Sequence, residues 1–154
     1  MRRKDREVTD IQNILSIIDE CKVIRLAMID GAKPYIVPLS FGYAYDNGSL
    51  TFYCHSAKEG RKLDILRKNN VVAFELDCRG SLHVGSEPCR YSYYYASVLG
   101  EGTAEFLRGS EKCSGMTSLM RHMAGREDLF TEEMLQNVEI IAIRVSSLSA
   151  KEKA

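Results

Sequence analysis

Between Phe52 and Asn70 the chain reads FYCHSAKEGRKLDILRKNN, a stretch whose residue types suit the capture of an anion. Ser56 followed three residues later by Glu59 has the form of a capping box, in which hydroxyl and carboxylate each accept from an orphan amide of a helix's first turn. Ser56 is therefore the expected N-cap. Lys58, Arg61 and Lys62 then crowd the positive end of the helix dipole, where like charge costs about 0.3 kcal/mol or more per residue. Gly60 falls inside this helix, at about 1 kcal/mol relative to alanine unless something must approach the backbone. A phosphate group resolves both anomalies, because it needs free amides, cations and an approach point without a side chain. The cations alone suit a solvated basic face equally well; the cap and the glycine favour the anion.

Other chemistry-bearing residues are sparse. His55 is the only side chain near this stretch whose ordinary pKa lies close to neutrality, which makes it a weak candidate for acid–base work and a better one for donating to a phosphate. The five cysteines, Cys21, Cys54, Cys78, Cys89 and Cys113, are odd in number and widely spread, as suits reduced thiols rather than a disulfide framework. Cys78, His83 and Cys89 cluster, but their spacing matches no zinc pattern and a fourth ligand is missing, so no metal site is expected.

The elements that must position the anion site follow from periodicity. Ile11, Ile14, Leu15, Ile17 and Ile18 form a helical stripe over 10–21, opened by Thr9 or Asp10. KVIRLAMI and KPYIVPLSFGYAY flank Asp30-Gly31 as a hairpin, and Asp46, Asn47 and Gly48 lead into SLTFYC. VVAFEL is a fourth strand, and residues 77–90 read as a long irregular connection. YSYYYASVLGEGTAEFL is a long strand whose Gly100 and Gly102 suggest a bulge. A helix over 111–125 carries Met116, Leu119, Met120 and Met123 on one face, a stripe that suits packing. A short helix over 131–136 and a final strand EIIAIRVSSL complete the chain. Six mostly antiparallel strands with few helices imply a small barrel, whose closure removes exposed edges.

Along the second strand, Tyr35, Val37 and Leu39 share one face with Phe41, Tyr43 and Tyr45, while Ile36, Pro38, Ser40, Gly42 and Ala44 form a second, smaller face. Pro38 removes a ladder donor, so this segment is expected at an edge or a kink with unpaired backbone. A flat polar heterocycle could bond to that main chain; an ordinary bent edge strand would look the same.

At 154 residues the chain fits a single domain, 1–154. Lys plus Arg equals Asp plus Glu at 21 each, which leaves no bulk field for nucleic acid or acidic membranes; phosphate recognition must be local. The opening MRRKDRE lacks the apolar run of a signal peptide, and no stretch approaches a membrane span, so a cytoplasmic protein is expected.

Taken together, YIVPLSFGY, FYCHSAKEGRK and YASVLGEGTA, with the DIQNILSIIDECKVIRLAMIDG unit, resemble the pyridoxamine 5'-phosphate oxidase-like flavoproteins, in their nitroimidazole-resistance branch. The resemblance implies a mainly β fold with flanking helices, a six-stranded antiparallel split barrel that forms a homodimer with FMN between subunits. It implies that Val37, Pro38, Leu39 and Ser40 meet the isoalloxazine edge, and that His55, Ser56, Lys58, Gly60 and Lys62 hold the ribityl phosphate, Arg61 helping. Tyr95 and Ser97 would face the flavin from the other subunit. The activity implied is that of an oxidoreductase reducing small electrophilic compounds such as nitroaromatics, with a nicotinamide donor as a candidate partner. Two departures bear on this. Ala150 precedes Lys151 where the family has a Gly-Lys pair, and SSLSAKEKA carries too few basic residues for a second phosphate, which speaks against vitamin B6 oxidation. The competing reading is a non-catalytic binder, either a flavin carrier or a haem protein with His83 or His122 as axial ligand.

Overall fold

Asn47-Gly48 and Gly31 sit at left-handed backbone angles, φ 48°, 81° and 62°, as two-residue hairpin turns require. They join antiparallel strands in a computed structural model that describes residues 3–154; the first two residues of the basic opening lie outside the described residues. In chain order the elements are β1 (Glu7–Val8), α1 (Ile11–Glu20), β2 (Ile24–Asp30), β3 (Lys33–Leu39), β4 (Phe41–Asp46), β5 (Ser49–Ala57), α2 (Arg61–Lys68), β6 (Val71–His83), β7 (Ser92–Phe106), α3 (Gly109–Ala124) and β8 (Val138–Lys153).

The strands hydrogen-bond in the order β3-β2-β6-β7-β8-β5-β4, and β1 adds to β8. All pairings are antiparallel. The expected second strand is two strands, broken at Ser40, so consecutive segments stand at opposite ends of the path. A one-residue link allows this only if the sheet curls until its ends meet. The result is a split barrel, closed by the chain at Ser40 and open in its hydrogen bonds. That break and the short β1 raise the described strand count from the expected six to eight.

Inside the curl lie Leu26, Phe52, Cys54, Leu76, Val98 and Ile143, all fully buried. Phe52 meets Phe41 and Phe74 edge-on at centroid distances of 5.5 and 5.0 Å, favoured arrangements for aromatic quadrupoles. Helix α1 begins where expected: Asp10 caps it by accepting from the Asn13 amide at 2.9 Å, and Ile14, Ile17 and Ile18 are buried.

The Gly100/Gly102 segment does break register, between Glu101 and Gly102. The expected irregular stretch 77–90 is different. β6 continues to His83 across a second register shift after Cys78, with Arg79 at φ 58°, because Gly80 leaves room for the Tyr93 side chain. The segment 131–136 forms successive turns rather than a helix, six residues being too few to outweigh helix nucleation, though Thr131 Oγ1 still accepts from the Met134 amide at 3.3 Å. β8 runs beyond Leu148 to Lys153 because β7 and β1 flank that polar end.

Helix α3 buries Lys112, Gly115 and Leu119, with Met116 half-buried beside them. It lies so close to β4 that a Cβ on Gly42 would overlap the backbone of Ser118 and Leu119. His122, near the end of α3, lies 4.5 Å from the Phe41 ring and donates through Nε2 to the Cys21 carbonyl at 2.7 Å, with the tautomer set by that bond. Lys22 Nζ donates to Asp19 O and His122 O at 3.2 and 3.0 Å, tying the ends of α1 and α3 together.

Gly42→Ala is expected to destabilise the fold by about 3 kcal/mol or more, since two backbones must separate; urea unfolding measures it. Burial holds the His122 pKa below the ordinary histidine value. A depressed folded-state pKa means that the unfolded chain binds the proton more readily, so His122's contribution is complete above about pH 6.5 and is lost as pH falls toward the folded pKa. His122→Gln should therefore flatten stability against pH below 6.5 in denaturant midpoints.

Candidate functional site

β3 stands at the open end of the sheet path, as its proline foretold. Pro38 faces Arg25 of β2, and its other edge carries no strand. Tyr35, Val37 and Leu39 pack toward the core, while Ile36, Pro38 and Ser40 are exposed. Val37 to Ser40 thus present free backbone groups at the split.

Helix α2 lies against β2, and its first residue reaches Tyr35 of β3. Leu63, Ile65 and Leu66 bury into the main core. Arg61, the first helical residue, donates through Nε to Asp30 Oδ2 at 3.0 Å and stacks over the Tyr35 ring at 4.3 Å. The two pieces that sequence could only propose as partners, β3 and the α2 entrance, are joined here. Arg61 is itself occupied by these contacts.

The capping box does not form. Ser56 is still in β5, buried and opposite Glu139, and α2 starts five residues later with Gly60 as N-cap and no side-chain cap. Burying Ser56 in the β5–β8 ladder outweighs a local hydroxyl–amide bond. Gly60 is therefore at the helix boundary, and its reason is conformational: φ 137° and ψ 158° are open essentially to glycine alone. A Cβ there would meet nothing within 4 Å, so the approach to the first-turn amides is open. Lys58 and Glu59 precede the helix in the exposed loop.

Lys62 differs from the other cations. It is half-buried, burial lowers its pKa, and the fully buried Cys54 thiol near it is itself pushed up to about 12 by burial and so is neutral. Among the described residues its ammonium has no hydrogen bond or ion pair. A desolvated cation without an anion is costly, so a bound anion would complete this site.

His55 and Ser56 alternate on β5. Ser56 continues the inward row of Phe52 and Cys54, whereas His55 is exposed beside Ile140 of β8. The two expected phosphate donors thus begin on opposite faces. Glu139, buried next to Ser56 and held by Arg108 at 2.5 Å, is a charged neighbour that the sequence did not flag; no local pattern signals a cross-strand partner.

Tyr95 and Ser97 lie on β7, three places from β3 along the path, roughly 14 Å at the usual strand spacing. Within one subunit they stand apart from the β3–α2 cleft. His83 Nδ1 is bonded to Tyr94 OH at 2.8 Å on the β6–β7 hairpin, and no group of three or more His, Cys, Asp and Glu among the described residues is arranged to hold a metal ion. No helix among the described residues is long and apolar enough to cross a membrane.

The sequence matches the pyridoxamine 5'-phosphate oxidase family over residues 10–152. The chain belongs to that family. Among solved structures, a candidate 5-nitroimidazole antibiotic resistance protein from Bacteroides thetaiotaomicron shares 29% identity, with 95% of this chain and 86% of that one covered at a TM-score of 0.81. A FAD and haem binding protein from Mycobacterium smegmatis superposes with TM-score 0.82 over 96% of this chain and 73% of that one, at 17% identity. A flavocytochrome from Azotobacter vinelandii gives 0.78 over 100% and 72%, at 14% identity. No curated protein matches the sequence. The expected split-barrel family and fold are thereby established; the last two likenesses bear on the fold alone.

Gly60→Ala should lower stability by about 1 to 3 kcal/mol, because alanine must adopt a glycine-only backbone conformation. The reading of Gly60 as a helix-interior residue implies the opposite sign, a gain near 1 kcal/mol; thermal or urea unfolding decides between them.

Proposed function

We propose that this chain is an FMN-dependent oxidoreductase that reduces small electrophilic compounds, nitroaromatics among them. The observation that carries the reading is the Arg61 clamp on Asp30 and Tyr35, which sets an unpaired β3 edge beside a helix entrance with open amides and an unpartnered, half-buried Lys62. The donor set fits FMN: a cation and first-turn amides suit a phosphate, and a main-chain edge suits the polar rim of a flat heterocycle. Membership of the pyridoxamine 5'-phosphate oxidase family, and the nitroimidazole-resistance description of a similar structure, support it.

In this reading Lys62 and the amides of Arg61 and Lys62 hold the phosphate, with Lys58 and Ser56 near it and Gly60 leaving the approach clear. Backbone groups of Val37, Pro38, Leu39 and Ser40 orient the ring. FMN, when bound, supplies the electron and hydride transfer. Exposed His55 serves the phosphate region rather than the reacting ring, and no side chain is assigned a proton-transfer role.

The second part of the proposal is a homodimer with Tyr95 and Ser97 of one subunit completing the site of the other. Two exposed apolar regions support it: Ile29, Ile36 and Val71 on β2, β3 and β6, and Leu82, Val84, Tyr91 and Tyr93 on the β6–β7 hairpin. A water-exposed area of this kind marks an association surface.

A visible spectrum of the purified protein tests the cofactor: flavin bands are expected, and a Soret band without them would favour the haem binder. Nicotinamide donors followed by nitro acceptors then test turnover, and a flavin that neither donor nor acceptor changes would leave only a carrier. Lys62→Ala is expected to weaken FMN binding 10- to 100-fold, about the 1.5–3 kcal/mol of a charge-assisted hydrogen bond; unchanged affinity in a fluorescence titration removes Lys62 from the site. Light scattering across a dilution series should show FMN retention falling with dimer content.

A further inference from the structure

Away from the β3–α2 cleft, the end of α1 and the bulge of β6 are tied together twice in adjacent register. Glu20 accepts from Arg79 Nε at 3.0 Å, and Arg79 Nη1 also donates to Glu152 of β8 at 2.6 Å. One residue inward on each segment stand Cys21 and Cys78. The Cys78 thiol donates to the Ile17 carbonyl at 3.7 Å, the same oxygen that accepts the Cys21 amide at 3.3 Å. Both cysteines thus converge on the Ile17 carbonyl. Cys21 is buried, whereas Cys78 is partly buried at the point where β6 changes register.

We propose that Cys21 and Cys78 form a reversible redox pair that, on reaction with a hydroperoxide, closes a disulfide between α1 and β6. The flanking Arg79–Glu20 ion pair and the shared Ile17 carbonyl hold the two segments near each other, the proximity that disulfide closure requires. The partly exposed sulfur reacts first. The Cys78 thiolate attacks the terminal peroxide oxygen; the O–O bond breaks, a sulfenic acid forms on Cys78, and the rest of the peroxide leaves as alcohol or, from hydrogen peroxide, as water. The Cys21 sulfur then attacks the Cys78 sulfur. The S–S bond forms as the S–O bond breaks, and hydroxide departs with the Cys21 proton as water. In total two thiols lose two electrons and two protons, and one peroxide is reduced. A dithiol reverses the bond by exchange. Burial raises both thiols while Arg79 opposes this at Cys78, so oxidation is slow and Cys89, which is exposed, reacts before the pair.

The experiment uses the full chain carrying Cys89→Ser and Cys113→Ser, treated with hydrogen peroxide, unfolded and alkylated. The expected result is one alkylated thiol, Cys54, a Cys21–Cys78 linked peptide in the digest, and a melting temperature raised on the order of 10 °C for closure of so long a loop, all reversed by dithiothreitol. Adding Cys21→Ser should abolish both the linked peptide and the shift. Three alkylated thiols after treatment, a bond to Cys54, or Cys78 ending as sulfinic acid with Cys21 free would each overturn the pair. Should a serine variant fail to fold, peptide mapping of the oxidised natural sequence reads the same linkage, and its absence there counts against the proposal equally.

Discussion

Leu39 and Phe41 are separated by one residue, yet they belong to strands at opposite ends of a single hydrogen-bonded path. This covalent constraint forces the sheet to curl, because a one-residue link spans only about 7 Å between the strands it joins. Everything that positions the candidate site follows from it. The curl gives Phe52, Phe74 and Ile143 a closed interior, and it leaves the β3 edge free at the seam, since Pro38 offers no amide to a further strand. A barrel closed by hydrogen bonds would have satisfied that edge.

The seam also has to be stopped from opening. On one side α3 does this by packing backbone against backbone at Gly42, with Lys22 bonded to carbonyls at the ends of both α1 and α3. On the other side α2 buries Leu63, Ile65 and Leu66 while Arg61 reaches back to the β2–β3 hairpin. The Arg61 contacts are exposed and individually weak. Their consequence is geometric: they fix where the helix entrance stands relative to β3.

Electrostatically the two halves of the molecule contrast. Around the α1 end and the β6 bulge, Arg25 and Arg79 are matched by Glu75, Asp77, Glu20 and Glu152, so positive charge there is spent within the protein. At the α2 entrance Lys62 has no such match among the described residues, and it has lost part of its water. Net neutrality of the chain thus conceals a local surplus of positive charge at the α2 entrance.

By itself the sequence determined the hairpins, an edge or kink at Pro38, a helix cap at Thr9 or Asp10, the Gly100/Gly102 irregularity and the cluster of cations after Ser56. Each is written in local residue chemistry, in which a backbone angle or a periodicity needs only near neighbours. Tertiary structure alone decided that Ser56 stays in a strand, because its place in the β5–β8 ladder beats a local cap. It also turned the first half of the apparent loop 77–90 into strand, as far as His83, since long-range pairing with β7 outweighs the low strand preference of Gly80. The same holds for Arg61, spent on Asp30 and Tyr35, for Lys62, left without a partner among the described residues, and for Cys21 and Cys78, which both reach the Ile17 carbonyl from 57 positions apart. Such facts depend on which strands become neighbours, and that is set by the burial of the whole core rather than by any single stretch.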